Sequence, residues 1–196
     1  MKAIFRKIWE TALPYQDKRD DKGHAKIVLD FALEFVKKEK ADENVVIPAA
    51  ILHDLGWSTL PKKESLSIFR ESTAEEKIVG AIRKHEIAGV KLAGQILKRV
   101  GYPPGMVEEV LEIVSQHDTR VGFISKNEGV VRDADKLWRF SRTGYGIDVK
   151  RSGDVPAHLY LKMKAQIEEK GFFYSERAKK LARLELEKRK EEFGID

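Results

Sequence analysis

The chain contains no cysteine among its 196 residues. Disulfides, thiolate-bound metals, iron–sulfur clusters and a cysteine nucleophile are excluded together, so any metal must be held by His, Asp or Glu. Long apolar runs are lacking too: the longest, Val45 to Leu52, falls far short of the roughly 20 residues that span a bilayer. Met1 to Glu10 mixes charges with single apolar residues and has no continuous apolar core of the kind a signal peptide carries. A cytoplasmic protein with no membrane partner is expected. Charge of one sign is also scarce, since 37 Lys and Arg against 32 Asp and Glu leave only +5. That surplus is too mild to imply nucleic-acid binding, although basic residues around a cleft would attract an anionic substrate over about 8 to 10 Å.

Period-2 alternation bounded by hairpin turns is absent, whereas almost every long segment carries the helical period. The pattern predicts an all-α protein. Helices are expected over Lys22 to Lys38, with Ile27, Val28, Phe31, Phe35 and Val36 on one buried face, and over Asn44 to Leu55, apolar on every side. Pro48 is placed in the first turn of that second helix, Asp42 or Asn44 at its cap, and Gly56 just past its end. A polar loop from Ser58 to Ser72 precedes helical character over Thr73 to Val100, with a break considered at Gly80. Helices over Pro104 to His117 and Glu128 to Arg142 follow, then irregular chain marked by Gly144, Gly146 and Gly153, then one or two charged helices from Pro156 to Asp196. The expected organisation is a main domain over 1–155 with a charged helical extension, 156–196, packed on it.

Four of the five histidines, His24, His53, His85 and His117, fall at the edge of an apolar helical face. Each taken alone reads as a hydrogen-bonded core residue. The doublet His53-Asp54 is harder to place in a core, because a carboxylate at the end of a wholly apolar helix must be paired, neutralised or bound to a cation. Nothing from Val45 to Trp57 is basic apart from His53. A divalent ion between helices would satisfy the carboxylate and several imidazoles at once.

The order His24, His53-Asp54, His85, His117, Asp135 resembles the HD-domain superfamily of metal-dependent phosphohydrolases, whose pattern is H…HD…D on separate helices of an all-α bundle. The resemblance covers Gly23 to Arg142, and Asp133-Ala-Asp135-Lys-Leu is similar to small stand-alone members, some of which cleave nucleotides. It implies an HD-domain-like bundle with extra C-terminal helices. It also implies His24, His53, Asp54 and Asp135 as ligands of one ion, and His85 and His117 as those of members holding two, with Asp54 and His85 in the catalytic step. A second doublet, His117-Asp118, is also present. Asp133 and Asp135 lie about 200° apart on a helix and cannot share an ion; the motif favours Asp135, leaving Asp133 and Glu86 to support ligands from behind.

Among the basic residues near these motifs, Lys136, Arg139 and Arg120 are the candidates to bind substrate, ahead of Lys22, Arg83 and Lys84; His158 has no role. Imidazole-rich ligation suits Mn, Fe, Co, Ni or Zn better than Mg. The implied activity is hydrolysis of a phosphate ester or anhydride, of a nucleotide or small phosphorylated metabolite, by a water activated on one or two ions. Two other readings stay open: a di-iron HD-type oxygenase, and a non-catalytic metal-stabilised module that binds a nucleotide. The expected partner is a small phosphorylated molecule, with a homodimer left open.

Overall fold

The computed structural model describes residues 1–70 and 72–195. Among them are ten α-helices, two short 3-10 helices and no strand. The apolar run becomes the hub: helix α3 (Glu43–Leu52) buries every residue from Val45 to Leu52. Asp42 caps it, its carboxylate accepting from Asn44 N at 2.8 Å. Pro48 lies inside this helix rather than in its first turn. A proline here removes the N–H that would bond to the carbonyl four residues back, that of Asn44. The Tyr102 hydroxyl donates to that same carbonyl, so the freed acceptor is satisfied from a distant part of the chain.

Around α3 pack α1 (Ala3–Ala12), α2 (His24–Lys38), α6 (Pro104–Gln116) and α7 (Lys126–Phe140). Helix α1 was not read from the sequence; its charges hide a stripe of Phe5, Ile8 and Ala12 that is buried. The segment expected as a loop over 58–72 contains a short helix, α4 (Lys62–Ser67), while Glu71 lies outside the described residues. Helix α5 (Glu75–Arg99) continues through Gly80 without a break. Helix α8 (Arg142–Ser152) occupies the stretch expected to be irregular. Gly144 is there because a Cβ would sit 2.0 Å from the Trp138 carbonyl oxygen: the glycine reports close packing of α8 on α7, not a turn. Gly153, at φ +71°, does end α8 in the left-handed region.

Gly56 is also a packing glycine rather than a helix terminator. It sits buried in the 3-10 helix Leu55–Thr59, where a Cβ would stand 1.8 Å from the His85 carbonyl oxygen. This approach brings the end of α3 against the middle of α5. Helices α9 (Pro156–Glu168) and α10 (Glu176–Glu192) pack on each other, and α10 packs on α7. Leu159, Met163, Ala178, Ala182 and Leu186 join the same core as α3; Asp196, expected as the end of this extension, lies outside the described residues. No described helix is long and apolar enough to cross a membrane.

Candidate metal centre

The candidate ligands come from helix ends and from the inward faces of helices. His24 is the first residue of α2, a start organised by Asp17, whose carboxylate accepts from Gly23 N at 2.8 Å and Ala25 N at 3.0 Å. His53 and His117 are the residues that cap α3 and α6, His85 lies on the buried face of α5, and Asp135 projects from α7. All four imidazoles are buried.

The six expected ligands converge, and Asp54 stands between two groups. On one side His24 Nε2 and His53 Nε2 are 3.2 Å apart, and Asp135 Oδ1 lies 3.4 Å from the first and 3.3 Å from the second. Asp54 Oδ2 is 3.4 Å from His24 Nε2. On the other side His85 Nε2 and His117 Nε2 are 3.3 Å apart, with Asp54 Oδ1 at 3.7 Å and 3.4 Å and Asp118 Oδ2 at 3.5 Å and 3.7 Å. One oxygen of Asp54 therefore faces each pair of imidazoles.

This donor set fits divalent ions. His53 Nδ1 donates to the Ala50 carbonyl and His117 Nδ1 to the Val114 carbonyl, both at 2.9 Å, which leaves the Nε2 lone pairs for a metal. Paired Nε2 atoms at such distances cannot both carry protons, and carboxylates beside them complete an N/O set of the kind that holds first-row transition ions.

The electrostatics separate the two sides. Burial opposes charge on His117, yet Asp118 and Asp54 raise its imidazole to about 10, while burial and the neighbouring His117 lower His85 to about 2. Burial likewise lowers His24, whereas Asp54 and Asp135 outweigh it at His53 and raise that ring. Asp54 is held well below the usual carboxylate range against its burial, by Arg19 first and then His53. Asp135 is lowered by His53 and His24, but Asp118 is raised by burial and by the charges of Asp135 and Asp54.

The supporting residues depart from expectation. Asp133 touches no ligand; its carboxylate accepts from Tyr174 N at 2.7 Å, Ser175 N at 2.9 Å and Ser175 Oγ at 2.7 Å, pinning the start of α10. Glu86 accepts no imidazole proton either. Fully buried, it accepts from Asp118 N at 3.2 Å and Thr119 N at 3.1 Å, fixing the segment that carries Asp118. Arg120 turns away from the site to pair with Glu112 and with Glu128. Arg83 and Lys84 are engaged by Glu86 and Glu64. Lys136 and Arg139 do line the cavity of about 500 Å³ that opens beside the ligands. Lys136 donates to the Phe172 carbonyl, and burial lowers its ammonium to about 8.

Sequence reasoning missed three residues here. Asp118 was visible as the second His-Asp doublet but carried no role. Arg19 donates to Asp54 Oδ2, is held by Asp21 at 3.3 Å and lies 4.6 Å from the Trp57 ring centre. Trp57 in turn donates to Asp54 Oδ1 at 3.1 Å and stacks on His85 with centroids 3.9 Å apart. Neither Arg19 nor Trp57 belongs to a periodic pattern, so only the fold brings them to the site.

These features place the chain in a class: an all-α bundle enclosing a cluster of imidazoles and carboxylates that could hold metal ions. The HD domain profile matches residues 22–139, and the chain belongs to that family. The fold is similar to a predicted HD superfamily hydrolase from an uncultured Thermotogales bacterium, with a TM-score of 0.60 and 21% identity over 97% of this chain and 87% of that one. A tRNA (cytidine(56)-2'-O)-methyltransferase of Thermoplasma volcanium is 28% identical over 101 residues, 48% of this chain. The match spans only 29% of that methyltransferase.

Proposed function

We propose that this chain is a metal-dependent phosphohydrolase acting on a phosphate ester or anhydride of a nucleotide or small phosphorylated metabolite. The observation that carries the reading is the position of Asp54, with one carboxylate oxygen toward each pair of imidazoles. His24, His53, Asp54 and Asp135 would hold one ion; Asp54, His85, His117 and Asp118 would hold the second. Bound there, divalent ions supply Lewis-acid polarisation of a phosphoryl oxygen and a water of lowered pKa. Arg19, oriented by Asp21 and by the face of Trp57, would donate to a phosphoryl oxygen arriving beside Asp54. Trp57 keeps the Asp54 carboxylate from rotating, and Lys136 adds positive charge to the cavity wall.

The test is a screen of the purified protein against phosphorylated metabolites with Mn, Fe, Co, Ni, Zn and Mg. Metal-dependent phosphate release that disappears in Asp54→Ala supports the reading. Release that persists in that variant, or no release with any ion, overturns it. Activity with zinc under anaerobic conditions separates hydrolysis from oxygenation.

A further inference from the structure

The cavity beside the metal ligands extends along a wall whose cations are not used in the chemistry above. Arg70, Arg139, Arg151 and Lys162 line it. The buried Asp148 accepts from Arg139 Nε at 2.7 Å, from Arg151 Nε at 2.8 Å and from Arg151 Nη2 at 2.6 Å. One carboxylate thus serves two guanidinium groups and leaves one of their two positive charges uncompensated. Asp154, also on this wall, is engaged by His158 Nδ1 at 2.7 Å and Val155 N at 3.0 Å, and Asp21, whose charge also reaches Arg151, is held by Arg19.

Arg151 is the unusual member of this wall. Its side chain is only 10% exposed, and its Nη1 is buried with no hydrogen-bond partner. A charged donor left in that condition lowers stability unless something accepts from it. Its guanidinium centre lies 3.6 Å from the centre of the Phe69 ring, which also meets Arg19 at 5.8 Å. Phe69 therefore joins two cations: Arg19 at the Asp54 carboxylate, and Arg151 further along the same cavity.

We propose that Arg151 forms a second anion subsite, which takes a carboxylate or phosphate group of the substrate while its scissile phosphate lies at Asp54. The inference rests on the phosphohydrolase reading and narrows it to phosphorylated metabolites bearing a second anionic group. A planar guanidinium already oriented by Asp148 and Phe69 meets an oxyanion with little further ordering, which a lysine could not reproduce.

Calorimetric binding of butylphosphonate and its α,ω-bisphosphonate to the zinc-loaded protein tests this, since a carbon–phosphorus bond is not hydrolysed. The wild type is expected to bind the two-headed ligand at least about tenfold more tightly, as one buried charge-assisted contact allows. In Arg151→Met the preference should fall to near one, and in Arg151→Lys, which keeps charge and volume if the first variant folds poorly, to an intermediate ratio. Equal affinities in the wild type, or a preference unchanged in both variants because both heads sit on the metals, overturns the proposal. A preserved preference with no phosphate release in the substrate screen retains the subsite and removes the hydrolase reading.

Discussion

The two ligand groups flanking Asp54 each have two imidazoles and one further aspartate, and they differ in the surroundings of that aspartate. In the first, Asp135 projects from the core helix α7 and is lowered by His53 and His24. In the second, Asp118 follows the end of α6 and is raised by burial and by the charges of Asp135 and Asp54. A ligand must lose its proton before it can hold a cation. In the second group His117, raised to about 10, must release a proton to hold an ion at neutral pH, while in the first only His53 among the imidazoles is raised. The lesson is that identical residue types on either side of one carboxylate can meet unequal fields, because the like and unlike charges around each carboxylate differ.

The widest break would come from Asp54→Ala, which removes the residue common to both groups. Phosphate release should fall at least about 10³-fold, with helical circular dichroism retained because the core around α3 does not rest on that carboxylate. A folded variant with full turnover would remove Asp54 from the catalytic step. Next, His53→Ala and His117→Ala should each cost about 10²-fold in rate and one bound ion, read by elemental analysis. Loss of both ions in either variant would mean that the two positions are not separable.

Asp118→Asn sharpens the comparison further. Metal affinity at the second position should weaken by about 10- to 100-fold while the first ion stays bound, so titration of the variant would show one tight and one weakened event. Two unchanged events would make Asp118 a bystander. In the wild type, lowering the pH from 8 to 6 should weaken the second event more than the first, because His117, raised to about 10, must lose a proton to hold an ion across that whole range, while in the other group burial lowers His24 and only His53 is raised. Parallel weakening of both would contradict the inequality.

Asp133, two residues from a ligand, supplies the smallest effect and one with no reading in metal content. Burial raises it to about 6, although Ser175 and Tyr174 donate to it, and in the unfolded chain it titrates near 4. Between those values the folded chain keeps a proton that the unfolded chain releases. Its contribution is thus fully present below about pH 4 and is lost as the pH rises to about 6, amounting to about 2 to 3 kcal/mol. Unfolding by denaturant should show the stability of the wild type falling relative to Asp133→Asn across that window; a difference constant with pH would contradict the assignment.

Much of this was legible in the sequence. The apolar run of α3, the stripe of α2 and the histidines at their ends gave the helical core, because a 3.6-residue period and a polar residue at the end of an apolar run are local signals; the full set of six ligands, Asp135 above all, came from the resemblance to the HD pattern. What escaped notice depends on distant contacts. Gly56 and Gly144 look like chain breakers until the His85 and Trp138 carbonyls are seen against them. Asp133 and Asp135 were separable by helical angle, but only the position of Ser175 says what the first one holds. Arg19 lies in an irregular stretch before α2, where no period marks a side chain as buried, and Arg120, close to the motif in sequence, is held by Glu112 and Glu128, neither of which its neighbours in the chain reveal.

The most direct test of the central claim is anomalous scattering at the zinc edge from crystals of the zinc-loaded protein. The account predicts two peaks, one beside Asp54 Oδ2 among His24, His53 and Asp135, and one beside Oδ1 among His85, His117 and Asp118. A single peak on either side, or peaks away from Asp54, would contradict it.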